Sequence, residues 1–154
     1  MINISREPKG QQYRRLLEVL SDRCGTFSLT VRDSALLNQT GLQVLAQFEP
    51  FRLDDDHKSD WPGTRLLGSK AHIYSHRLDV AAIDLLTSTA AGLYDWIAPD
   101  KPEDLCLYAK DGAPVLVTIA HEHDAYIVPE DEAIIDVLDK IGIPHSASLK
   151  RNGA

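Results

Sequence analysis

The densest group of titratable side chains is His121-Glu122-His123-Asp124. Two histidines two residues apart on an extended segment point to one side, where both imidazoles could share a metal ion. Glu122 or Asp124 would add a ligand or act as a base. No third ligand is fixed by spacing, however, and a polar reversal between two strands accounts for the same residues as solvated groups; that plainer reading is preferred. Asp54-Asp55-Asp56-His57 offers oxygen donors to a divalent cation. It lacks the alternation and the Gly and Glu positions of a calcium loop, and a charge run in a loop is usually solvated.

Trp61-Pro62-Gly63-Thr64 sets a large aromatic beside a turn. Exposed, Trp61 would anchor a partner; buried, it would pin its loop to the core. Pinning is preferred, because a long polar loop needs something to hold it. Glu103 and Asp104, together with Asp95, could form an acidic patch around Trp96 that receives Arg or Lys from a partner. Capping of the turn before a strand is the simpler role for Glu103-Asp104. Glycine-rich phosphate loops, GxGxxG, HExxH and nucleophile elbows are all absent, so no cofactor and no resident metal are expected and an enzyme is disfavoured. Cys24 and Cys106 match no zinc or redox spacing and read as reduced, buried residues.

The formal net charge of −7 argues against nucleic acid and against an anionic membrane as partners. It suits a basic protein partner, although it also simply keeps a domain soluble. Met1-Ile2-Asn3-Ile4-Ser5-Arg6 lacks a basic stretch followed by an apolar one, and no apolar run is long enough to span a bilayer, so a cytoplasmic location is expected.

The elements that must carry these residues follow from periodicity. Tyr13, Leu16, Leu17 and Leu20 form one stripe of a helix over residues 9–23, stopped by Gly25. Phe27, Leu29 and Val31 alternate as a strand. Residues 34–48 suggest a short helix, or two fragments broken near Thr40-Gly41, and residues 49–64 a long surface loop. A strand follows over 70–78. Asp79 then caps a helix with the stripe Ile83, Leu86, Thr87, Ala90, Tyr94 and Ile97, stopped by Pro99. A strand over 105–110 turns at Asp111-Gly112 into a return strand through Val115, Val117 and Ile119. Reversal at 121–124 leads to a third strand, 125–128. Pro129 opens a final helix with the stripe Ile134, Val137, Leu138 and Ile141, ended by Gly142 and Pro144. The expected architecture is a single α+β domain: an antiparallel sheet with a late meander, helices packed against it, and flexible ends at 1–8 and 146–154.

Trp61-Pro62-Gly63-Thr64, Leu93-Tyr94-Asp95-Trp96, Pro102-Glu103-Asp104-Leu105 and His121-Glu122-His123-Asp124-Ala125 resemble stretches of small stand-alone bacterial proteins, and the compact acidic style is similar to that of toxin-immunity proteins. The resemblance implies a protein-binding role, with an immunity-type inhibitor of a basic partner as its concrete form. Two alternatives stand beside it: a small metal-assisted hydrolase built on His121, Glu122 and His123, and a structural subunit that forms a homodimer through a sheet edge.

Overall fold

The computed structural model describes residues 1–147 of the chain. In chain order its strands are Ile2–Ile4 (β1), Cys24–Arg32 (β2), Arg52–Lys58 (β3), Asp60–Trp61 (β4), Thr64–Arg65 (β5), Ala71–Arg77 (β6), Glu103–Ala109 (β7), Pro114–Ile119 (β8), Asp124–Ile127 (β9) and His145–Ala147 (β10). The helices are Gln11–Leu20 (α1), Gln39–Gln47 (α2), Val80–Thr89 (α3) and Glu132–Ile141 (α4). Eight strands form one antiparallel sheet in the order β10-β1-β9-β8-β7-β2-β6-β3, and β4 pairs with β5 as a separate hairpin. The molecule is a single α+β domain.

Strand alternation gives the sheet two different faces. Phe27, Leu29, Leu105, Leu107, Ala125 and Ile127 join Tyr13, Leu16, Leu17 and Leu20 of α1, Ile83 and Leu86 of α3, and Ile134 and Leu138 of α4 in the main core. On the other face, Thr30 lies opposite Ile73 and Arg32 opposite Ala71. There Ala71 and Ile73 form a second, smaller core with Trp61.

The apolar stripes of α1 and α4 form as their patterns predict, and the strands expected at 105–110, 115–119 and 125–128 appear as β7, β8 and β9; α1 itself ends at Leu20, and Gly25, expected to stop it, lies within β2. Asp79 caps α3 by accepting from the Ala82 amide at 2.8 Å. Other expectations are corrected. Residues 49–64 are not one loop, because they contain a 3-10 turn (Glu49–Phe51), the whole of β3 and half of the β4–β5 hairpin. Every residue of β3 is exposed, so it lacks the apolar alternation by which a strand is recognised; pairing with β6 makes it one.

The helix expected to run to Ile97 stops at Thr89, and Tyr94 falls in a separate 3-10 turn, Leu93–Asp95. The chain is already extended at Ala90 (φ −130°, ψ 141°), and the Tyr94 amide further on is taken by the Glu7 carboxylate at 2.8 Å. Residues 34–48 hold one helix, α2, whose cap Asn38 accepts from the Gly41 amide. Pro129 precedes α4 rather than opening it, because Asp131 captures the Ala133 amide at 2.7 Å and sets the start at Glu132.

Both ends of the described residues enter the sheet. Ile2–Ile4, within the segment expected to be flexible, lies between β9 and β10 with Ile2 and Ile4 buried. Residues 145–147 are strand as well, and 148–154 lie outside the described residues. No helix among the described residues is long and apolar enough to cross a membrane.

Candidate functional site

Four residues singled out in the sequence come together from three distant segments: Trp61, Glu103, Asp104 and His121. β2 brings a fifth, Arg32, to the same place. Its Nε donates to Glu103 Oε2 at 2.9 Å, and its guanidinium lies over the Trp61 ring, 5.2 Å from the centroid. Trp61 Nε1 donates to Asp104 Oδ2 at 3.1 Å, and the Ala120 amide donates to Asp104 Oδ1 at 2.9 Å. Potential ligand atoms of Glu103, Asp104 and His121 all lie within 4.8 Å of one another.

The electrostatics of this cluster are unusual. Two buried carboxylates face one guanidinium, and burial pushes both Glu103 and Asp104 above the ordinary carboxylate range, against the pull of Arg32. Asp104 also adopts a left-handed backbone conformation, φ 58°. Aspartate tolerates that region better than most residues, and here it lets the carboxylate meet the indole and the Ala120 amide together. Asp104 is fully buried and Trp61 only 4% exposed. Their hydrogen bond therefore ties the β4–β5 hairpin to the start of β7, the Ala120 amide carries the link on to the end of β8, and Trp61 fastens its segment instead of offering an exposed anchor. Glu103 and Asp104 are turned towards Arg32 and Trp61, not towards Trp96. The Trp96 indole is itself buried in the main core, where Nε1 donates to the Tyr13 hydroxyl at 3.0 Å.

His121 and His123 do not share a side. Ala120–Glu122 is a 3-10 turn and His123 has a φ of 53°, so the segment is not extended and the i, i+2 rule does not apply. His121 turns towards Glu103 and Asp104, with Glu122 Oε1 3.8 Å from its Nε2, whereas the His123 ring stacks on Tyr94 at 5.4 Å. The two imidazoles thus take different partners.

The Asp54-Asp55-Asp56-His57 run lies along β3, the outermost strand of its sheet. All of these residues are exposed, and no strand among the described residues pairs with the outer edge of β3. A register shift between Arg52 and Asp54 leaves Leu53 bulged and exposed. Asp54 and Asp56 point to one face of the sheet, and Asp55 and His57 to the other. Asp55 Oδ1 accepts from His72 Nδ1 and Asp33 Oδ2 from His57 Nε2, both at 2.8 Å.

Arg32, Asp33 and His72 carry roles that motif reading missed. The signal for Arg32 was its place in the polar series Ser28, Thr30, Arg32, which alternates with the apolar series of β2. Asp33 and His72 gave no local signal, because their partner His57 comes from another strand. The thiols take no part: burial pushes Cys24 up to about 11 and Cys106 up to about 12, so neither is a ready nucleophile.

No family model, no curated protein and no solved structure matches this chain.

Proposed function

We propose that this protein is a protein-binding domain that receives a basic, extended segment of a partner along the outer edge of β3. The observation that carries this reading is the combination of a free strand edge with three exposed aspartates, Asp54, Asp55 and Asp56. A free edge presents unpaired amides and carbonyls, and an added strand satisfies them. Side chains of the incoming strand at alternate positions would oppose Asp54 and Asp56, and each such pair of opposite charge is worth roughly 0.2–1 kcal/mol. Exposed Leu53 supplies an apolar contact at the start of the edge.

The same charges work against a second copy of this chain, since like charges directly opposed across a strand pair are destabilising. A homodimer through this edge is therefore the weaker reading. Metal-assisted hydrolysis at His121–Glu122–His123 is also weaker, because the two rings turn to different partners. An immunity-type inhibitor of a basic target is the concrete role that fits an acidic edge of this kind.

Titration of the isotopically labelled protein with an eight-residue peptide of alternating lysine and valine tests the proposal. Amide resonances of Leu53–Lys58 are expected to shift. The binding should weaken severalfold between ~0.05 M and ~0.5 M salt, as screening shortens. The double substitution Asp54→Lys, Asp56→Lys should remove it, and the matching glutamate–valine peptide should not bind. Shifts elsewhere on the surface, or equal binding of the acidic peptide, would overturn the proposal.

A further inference from the structure

We propose that Asp33, His57 and His72 form a binding site for a divalent transition-metal ion of the zinc class. The site shares strand β3 and the side chain of Asp55 with the partner-binding reading but does not rest on it, since its donors lie on the helix-bearing face of the sheet and need no added strand.

His57 and His72 are directly opposite each other in the antiparallel β3–β6 pair. Opposed residues have Cβ atoms about 4.5–5.5 Å apart, which places two imidazoles within reach of one ion. The rings lie face to face, 4.4 Å between centroids and 25° from parallel. Asp33 completes the set: one ligand atom from each of Asp33, His57 and His72 lies within 4.8 Å of the other two. Ligands on a tetrahedral zinc ion, with bonds of about 2.0–2.1 Å, stand about 3.3 Å apart.

The surroundings hold the donors in place. The Asp33 amide donates to the Lys70 carbonyl at 3.0 Å, fixing Asp33 beside the start of β6. His72 is sandwiched between His57 and Tyr74, the second ring contact at 5.8 Å and 17°. Its Nδ1 donates to Asp55 Oδ1, which fixes the tautomer that leaves the Nε2 lone pair for the metal. A carboxylate behind a histidine is the usual way to orient a metal-ligating imidazole and raise its basicity. His57 Nε2 already points at Asp33 Oδ2, and the ion would take the position of the proton they share. Asp33 and Asp55 place two carboxylates at the site, the charge complement of a divalent cation. Imidazole with carboxylate suits zinc and its neighbours better than calcium or magnesium, which prefer oxygen throughout. The side chains of His57 and His72 are 43% and 39% exposed, so the ion has an entry path and water can fill the fourth position.

Calorimetric titration of the untagged, chelator-treated chain with zinc chloride near neutral pH tests the site. One ion per chain is expected, with ring-nitrogen resonances of His57 and His72 shifting and those of His121 and His145 unchanged. His57→Ala and His72→Ala should each weaken binding at least tenfold, and Asp55→Asn by about tenfold. His121→Ala should leave it unaltered, which separates this site from the Glu103, Asp104 and His121 cluster. Melting without zinc checks that the variants fold; should one fail, the ring-nitrogen shifts of the unaltered chain decide. No binding at millimolar zinc, binding that survives both histidine substitutions, or binding lost in His121→Ala would overturn the proposal.

Discussion

His76 shows how one residue couples the fold to solution conditions. It is 1% exposed and stacked on Phe27, 4.8 Å between centroids, and its Nδ1 is buried without a hydrogen-bonding partner among the described residues. Burial lowers its pKa from 6.5 to about 4, so the folded protein keeps it neutral. Between those two values the unfolded chain holds a proton that the folded chain does not. Stability from this residue is present above pH 6.5 and is lost as pH falls towards 4, to a total on the order of 3 kcal/mol. His76→Phe keeps a stacked ring and removes the titration. Denaturant unfolding at a series of pH values should show its acid limb flattened across this window, and an unchanged slope would contradict the assignment. Nothing in the sequence marked His76 as different from His72, only four positions away. Both lie on the same face of β6, but His76 pairs inward with Phe27, and His72 sits near the exposed end beside His57.

At the scale of elements, the β4–β5 hairpin is the part whose position depends most on one residue. Gly63 has a φ of 86°, and a Cβ there would come 2.8 Å from Val117 Cγ1 and 3.0 Å from Ile119 Cγ1. Both the backbone conformation and the close approach to β8 require glycine. Gly63→Ala is expected to destabilise the protein by about 1–3 kcal/mol, read from the midpoint of urea unfolding. It should also loosen the Trp61–Asp104 contact, seen as a red shift and faster quenching of Trp61 emission in a Trp96→Phe background. The sequence placed a turn at Pro62-Gly63 correctly, because Pro and Gly are local signals. It did not place β3 just before it. A strand exposed along its whole length has no core to pattern against, so Asp54, Asp55 and Asp56 looked like loop until β6 paired with them. The end of α3 was placed too late because Tyr94 and Ile97 continue its apolar spacing in the sequence, whereas the chain is already extended at Ala90.

One side of the sheet depends on the first residues of the chain, since β1 lies between β9 and β10 and buries Ile2 completely. A buried Ile truncated to Ala typically costs 2–5 kcal/mol, and total stability for a domain of this size is only about 5–15 kcal/mol. Ile2→Ala should therefore lower the urea midpoint markedly, with the loss in hydrogen-exchange protection greatest in β1, β9 and β10. Protection lost evenly over the sheet, or not at all, would show that β1 is not integral to it. What the sequence determined by itself was the set of amphipathic segments: the stripes of α1 and α4, the alternation of β2 and β6, the Asp111-Gly112 hairpin and the α+β class they imply. Those signals are local, because a half-buried helix or strand repeats its contact with the core every few residues. What only the tertiary structure decided was which chemical groups meet. Trp61, Glu103, Asp104 and Arg32 converge, His121 and His123 part, and His57 finds His72 and Asp33. Side chains that bond across strands leave no period in the chain, so their meeting is set by strand order and register alone.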